Sequence, residues 1–214
     1  MTTQPARPGE AAPARTGLGV FGGAFNPPHL THHRLAEAAL DHLPIARLLV
    51  VPSGDHPHKR GRDMATAADR LAMCRLLFAD LPGVVVDDRE LRRAGPSFTV
   101  DTLAELAAAG RPLYFLIGSD NLPLLPTWRD PERLLQLCTV VTYPRAGHPV
   151  TEALVEGLPL PAAARARLLA NVLPLPADAT AASDVRERWS RGERNLPELT
   201  PAVRDYIEAH GLYR

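Results

Sequence analysis

From residue 17 onward, short apolar runs alternate with stretches of helical period, and this alternation leaves the chain very few architectures. The runs GLGVF, ARLLVVP, GVVVDD, PLYFLIG and CTVVTYP have strand length, and NVLPLP reads as a last short strand. Between them stand LTHHRLAEAALDHL, MATAADRLAMCRLLFADL, TVDTLAELAAAG and PERLLQL, and the chain closes on SDVRERWSRG and LTPAVRDYIEAHG, all with helical spacing. Strands separated by helix-length crossovers pair in parallel, because only a long connection returns the chain to the starting edge. The predicted class is α/β: a Rossmann-like, doubly wound parallel sheet with helices on both faces and a C-terminal helical segment. In such sheets ligands sit beyond the carboxyl ends of the strands, which directs attention to the residues after VF, VVP, LIG and LPLP.

Residues 1–16 carry Pro, Ala, Gly, Thr and Arg without period and are expected to form a disordered extension, leaving 17–214 as one domain. Acidic and basic residues number 24 each, so no overall field draws the chain onto nucleic acid or an anionic membrane. Any polyanion must be held by a local site. Cys74 and Cys138 show no CxxC or CxxH spacing, which excludes a zinc ribbon or disulfide framework and fits a reducing cytoplasm. No apolar run approaches the roughly 18 to 20 residues that span a bilayer, and the first residues lack the apolar block of a secretory signal.

Gly17-Leu18-Gly19-Val20-Phe21-Gly22 spells GxGxxG, the fingerprint of dinucleotide-binding oxidoreductases. The spelling is a decoy. That fingerprint needs its glycines in the turn between a strand and a helix, whereas here the first two precede or lie within the strand and Pro27-Pro28 delays the helix. The residues at the end of the strand are more informative: Gly22-Gly23-Ala24-Phe25-Asn26-Pro27-Pro28-His29-Leu30-Thr31-His32. Paired glycines let backbone approach a phosphate closely, and His29 and His32, three apart, fall on one face of the first helical turn. Together with the free N–H groups of a helix start they make an anion site, while His33 faces outward. Six of the eight histidines lie between His29 and His58, but His56 and His58 have no Cys or Glu at ligand spacing, so no protein metal site is assigned.

These residues resemble the GGxFDPxHxGH signature of the nucleotidylyltransferase superfamily and, within it, the bacterial nicotinate-nucleotide adenylyltransferases. The likeness continues through the loop from Val51 and Ser53 to Pro57-His58-Lys59, through Ser97-Phe98-Thr99 opening a helix, and through Gly118-Ser119-Asp120 followed by Thr127-Trp128. It extends into the carboxyl-terminal helices. Three positions depart from the pattern: Asn26 replaces Asp, Thr31 replaces the Gly of HxGH, and Thr180-Ala181-Ala182-Ser183-Asp184-Val185-Arg186 replaces Ile-Ser-Ser-Thr-x-Ile-Arg, losing two hydroxyls. Ser183 is expected as a helix N-cap with Arg186 three residues on, a reduced anion cradle.

The resemblance implies adenylyl transfer from ATP to nicotinate mononucleotide, giving nicotinate adenine dinucleotide and pyrophosphate. It places His29, His32 and Arg186 in catalysis, and Gly22, Gly23, Phe25, Lys59, Asp120 and Ser183 with them around ATP. Ser53, Thr99 and Trp128 are placed on the nicotinate nucleotide, in a pocket expected to prefer the acid without a dedicated cation. Mg²⁺ is expected on the ATP phosphates, because no all-protein carboxylate cage is visible. The rival readings are a catalytically weakened nucleotide sensor of the same fold, motivated by Ala181 and Ala182, and an adenylyltransferase acting on the amide nucleotide.

Overall fold

The computed structural model describes residues 15–54 and 64–214. Lys59, His56, His58 and most of the expected N-terminal extension lie outside the described residues. The strands β1 (Gly17–Gly23), β2 (Ile45–Pro52), β3 (Val84–Val86), β4 (Leu113–Gly118) and β5 (Thr139–Tyr143) form one sheet in the order β3-β2-β1-β4-β5. Every pairing is parallel, with Phe21 of β1 in register with Val50 of β2 and Leu116 of β4. The helices are α1 (Leu30–His42), α2 (Ala67–Leu77), α3 (Arg89–Arg92), α4 (Thr99–Ala107), α5 (Pro131–Leu137), α6 (Glu152–Glu156), α7 (Ala162–Ala170), α8 (Ala182–Ser190) and α9 (Pro201–Ala209). The strand order reverses direction at β1, so the crevice between β1 and β4 is the switch point at which such sheets bind ligands.

Strand alternation divides the apolar residues between two cores. Leu18, Val20, Leu49, Val51, Phe115 and Ile117 face α4, α5, α6 and α7, whereas Phe21, Leu48, Val50 and Leu116 face α1, α2, α8 and α9. Helices therefore cover both faces. Both carboxyl-terminal helices belong to the second core, through Val185 and Trp189 on α8 and Val203 and Ile207 on α9. The strand glycines prove to be packing residues: a Cβ on Gly19 would stand 2.6 Å from Leu48 and 2.7 Å from Ile45, and one on Gly17 would stand 2.7 Å from the Tyr114 ring. This accounts for the misleading GxGxxG.

The structure departs from the sequence reading in several places. NVLPLP forms no strand: Val172 makes an isolated bridge to Thr142, and the prolines beyond it have no N–H with which to extend a ladder. The segment Ser119–Thr127 winds as a 3₁₀ helix in which Leu122 and Leu125, three apart, are buried against the first core. Residues between Thr151 and Ala170 form α6 and α7, whose Val155, Ala164 and Leu168 are buried. No helix among the described residues is long and apolar enough to cross a membrane.

Candidate active site

A cleft of about 910 Å³ opens over the carboxyl ends of β1 and β4, and its lining includes the loop after β1, the start of α4, the 3₁₀ segment and the start of α8. The loop after β1 leaves the sheet through Gly22 and Gly23, where a Cβ on Gly22 would meet nothing closer than the Phe115 ring at 3.5 Å. Phe25 adopts φ 48°, a left-handed conformation costing a bulky residue about 1–3 kcal/mol. Packing offsets that cost: its ring is buried edge-on to Phe21 at 5.4 Å and lies 4.9 Å from His32.

His29 is the N-cap of α1, and its backbone N–H donates to Nδ1 of His32 at 3.1 Å. The two rings lie 3.8 Å apart, so the spacing of three brings them together as expected. Because Nδ1 of His32 accepts, its proton resides on Nε2, which makes His32 a donor through that atom. Burial pushes the His29 imidazole down to about 4, with the nearby Asp178 carboxylate opposing only in part. Burial, and then the neighbouring His29, hold His32 well below the usual imidazole range. Both rings are neutral at physiological pH and offer N–H groups rather than charge.

Cationic groups come from elsewhere. Arg186 of α8 lines the cleft and donates from Nη1 to the Asn26 carbonyl at 2.8 Å, tying α8 to the glycine-rich loop. Arg145, which the sequence reading does not single out, also lines the cleft just beyond β5; its backbone N–H donates to Ser119 Oγ at 2.8 Å. The rule that ligands gather beyond strand ends would have found it in the Tyr143-Pro144-Arg145 run. Ser183 lines the cleft but is not the N-cap. Ala181 holds that position, because α8 begins two residues earlier than a Ser183 cap requires, and the Ser183 hydroxyl donates instead to Asp184 at 3.1 Å.

Asp120 reaches the cleft at the start of the 3₁₀ segment, and the glycine two residues before it leaves room for its present rotamer: a Cβ on Gly118 would make the Asp120 carboxylate turn away. Ser53 lies just past β2, its N–H given to the Gly23 carbonyl at 2.8 Å. Thr99 is the first residue of α4, and the Trp128 indole stands 6.2 Å from the Phe115 ring; both line the cleft on elements packed against the first core. The Trp128 backbone N–H is already given to Leu125 O at 3.2 Å. A cation that the sequence reading does not expect also stands there, since the Arg129 guanidinium lies 4.4 Å above the Phe98 ring.

The departures from the motif have physical partners. Asn26 Oδ1 accepts from the Ala65 N–H at 3.0 Å and from the Tyr213 hydroxyl at 2.7 Å, and the residue is buried, where a neutral amide avoids the desolvation of a carboxylate. Thr31 is buried and donates to Asp178 at 3.1 Å. Ala181 and Ala182 line the cleft with methyl groups. His33 contacts Asp80 at 3.0 Å, away from the cleft lining. Among the described residues no three or more His, Cys, Asp or Glu are grouped so as to hold a metal ion.

The cytidylyltransferase-like family model matches residues 20–188. The probable nicotinate-nucleotide adenylyltransferase of Albidiferax ferrireducens is 40% identical over 199 residues, covering 92% of this chain and 98% of the relative. The corresponding protein of Thermomicrobium roseum is 38% identical over 200 residues, covering 92% and 91%. Among solved structures, the Plasmodium falciparum nicotinic acid mononucleotide adenylyltransferase complexed with NaAD superposes with a TM-score of 0.73, covering 92% of this chain and 97% of its own. At 16% identity that likeness speaks for the fold.

Proposed function

The chain belongs to the nicotinate-nucleotide adenylyltransferases of the cytidylyltransferase-like family, and on that premise we propose that it transfers the adenylyl group of ATP to nicotinate mononucleotide in NAD biosynthesis. The observation that carries the reading is the lining of the cleft: we take the neutral histidine pair with nearby Arg145 and Arg186 as one end, and Thr99, Trp128 and Arg129, on elements packed against the first core, as the other. A phosphoanhydride would occupy the first end and a pyridine carboxylate the second.

In the reaction an oxygen of the nicotinate mononucleotide phosphate bonds to the α-phosphorus of ATP as the bond to the bridging oxygen of pyrophosphate breaks. The nucleophile is already an anion, so no side chain need remove a proton. The protein's work is in-line positioning and stabilisation of charge growing on the leaving pyrophosphate. Gly22 and Gly23 admit the phosphates to the backbone, Phe25 props the histidines, and His29 and His32 donate hydrogen bonds as neutral imidazoles. Arg186 and Arg145 supply positive charge, with Ser183 in the same lining; Lys59, outside the described residues, is a phosphate ligand by the family resemblance alone. Asp120 accepts from ribose hydroxyls. Thr99 and Arg129 donate to the nicotinate carboxylate while Trp128 stacks on the ring, and Ser53 contacts the same nucleotide.

The donor set at the phosphate end consists of N–H groups, imidazoles and guanidiniums, which bind phosphate oxygens rather than a cation. It fits Mg²⁺ that arrives held by the ATP phosphates, not a resident ion caged by protein. Bound there, Mg²⁺ would offset charge on the departing pyrophosphate. The reading places the enzyme in the reducing cytoplasm, with both cysteines free and buried.

The methyl groups of Ala181 and Ala182 in the cleft favour one second reading, a nucleotide sensor that binds without turnover. One experiment separates the two. Pure protein with ATP and Mg²⁺ is incubated with nicotinate mononucleotide, its amide or phosphopantetheine, and pyrophosphate and dinucleotide are measured. Release with the acid nucleotide is expected; ATP binding with no release would establish the sensor, and release only with another acceptor would replace the substrate.

A further inference from the structure

Asp178 does not itself line the cleft, but it joins three segments that do. It lies in the extended segment leading into α8, where its backbone bridges Arg145: Ala146 N donates to Asp178 O at 3.0 Å and Asp178 N to Pro144 O at 3.4 Å. Its carboxylate reaches in three directions. Oδ2 accepts from the Thr31 hydroxyl at 3.1 Å and from Arg34 Nη2 at 3.4 Å, both on α1. Oδ1 accepts from the Thr180 N–H at 2.7 Å, one residue before the N-cap of α8, and stands 4.0 Å from Arg145 Nη1.

Two of these partners, Thr31 and Thr180, lead directly to groups at the phosphate end. Thr31 sits between His29 and His32 and is only 3% exposed, so its hydroxyl has little access to water and takes Asp178 as its acceptor. Thr180 leads into the helix that carries Arg186. Burial alone would push the Asp178 carboxyl up, but hydrogen bonds from Thr180 and Thr31 and the charge of Arg34 outweigh it and hold the group below the usual carboxylate range. The anion therefore persists at physiological pH beside a site for polyphosphate. A negative charge there repels substrate, so its presence calls for a gain elsewhere. The gain that the geometry offers is rigidity.

We propose that Asp178, with Thr31 as its buried partner, is a positioning residue for adenylyl transfer: it fixes the first turn of α1, Arg145 and the lead into α8 relative to one another, so that His29, His32 and Arg186 converge on the same phosphates. The proposal rests on the adenylyltransferase reading given above. Its effect belongs to the phosphate end and not to the pocket of Thr99 and Trp128, because none of Asp178's hydrogen bonds reaches α4 or the loop through Trp128.

The test measures kcat and both Michaelis constants for Asp178→Ala, Thr31→Val, Thr31→Ser and the double variant Thr31→Val with Asp178→Ala, each checked for folding by circular dichroism. Asp178→Ala should lower kcat about tenfold or more, as loosened transition-state contacts do, while KM for nicotinate mononucleotide stays within about twofold. Thr31→Val, which keeps the shape and deletes the donor, should lower kcat in the same sense, and Thr31→Ser should restore it. The double variant should lose no more than Asp178→Ala alone, since both changes break one connection. If Asp178→Ala does not fold, the contrast between Thr31→Val and Thr31→Ser decides the matter. Unchanged or raised kcat in folded Asp178→Ala would overturn the proposal, as would additive losses or equal losses for Val and Ser at 31. Turnover in the unmutated protein with indifferent variants defeats this inference alone, whereas no turnover in the unmutated protein removes the adenylyltransferase reading and this inference with it.

Discussion

His29 and His32 gain their chemistry from burial, and burial has two measurable consequences. Deleting His32's donor by His32→Ala should lower kcat by about two orders of magnitude, the scale of losing one transition-state hydrogen bond. A folded variant with near-normal kcat would exclude a phosphate role. Protonation gives the second consequence. The folded state holds His29 at about 4, while the unfolded chain binds a proton near the ordinary imidazole value of 6.5. Between those values the unfolded state carries more protons, so stability rises with pH; the contribution is complete above about 6.5 and is lost as pH falls toward 4. A loss of roughly 3 kcal/mol from His29 is expected over that window, read as a falling urea midpoint, and His29→Gln should flatten the slope. At this scale the pair is legible in the sequence because a spacing of three brings side chains together on any helix. Arg145 could have been found by the strand-end rule, but Asp178 could not, because its α1 partners are far away in the chain: Thr31 lies 147 residues from it.

Elements are legible where one face of a periodic pattern is buried, and illegible where proline governs the backbone. The five strands and the helices containing Leu35, Met73, Leu103 and Ile207 follow from apolar spacing alone. The 3₁₀ segment escapes such a reading because Pro123 and Pro126 argue against an α-helix, yet the tighter turn accommodates both while Leu122 and Leu125 reach the core. That segment ends at Trp128, and its placement opposite the first turn of α4 makes a testable selectivity. A carboxylate only accepts hydrogen bonds, while a carboxamide must also donate, so Thr99 and Arg129 leave the amide's NH₂ facing donors. Such mismatches can discriminate by about 10⁴, and kcat/KM for nicotinate mononucleotide should exceed that for the amide by at least about a hundredfold. Arg129→Gln should narrow the ratio, and Trp128→Ala should weaken both substrates without reversing their order. Comparable values for the two nucleotides in the unmutated protein would exclude a donor-only pocket.

Across the whole molecule, the second core and the cleft share a tie at the carboxyl end of the chain. α8 and α9 pack on the α1 and α2 face through Val185, Trp189, Val203 and Ile207, and the chain then turns back through Tyr213, held at φ 58°. A tyrosine stays in that left-handed conformation only where its surroundings fix it, and here its hydroxyl donates to Asn26 Oδ1 at 2.7 Å. Arg186 donates to the carbonyl of the same Asn26, so one residue of the glycine-rich loop is gripped by α8 and by the last turn of the chain. Nothing local in the sequence announces this contact, which spans 187 residues. Tyr213→Phe deletes the hydroxyl and little volume, leaving the buried Asn26 oxygen with the Ala65 N–H as its remaining partner of the two. The loss should be about 1 kcal/mol of stability by urea unfolding. If the tie also steadies the phosphate end, KM for ATP should rise by about two- to fivefold with KM for nicotinate mononucleotide unchanged, because less of the enzyme holds the binding-competent loop. An unchanged urea midpoint would mean that the hydroxyl does not hold the loop, and a changed midpoint with unchanged KM for ATP would confine the tie to stability.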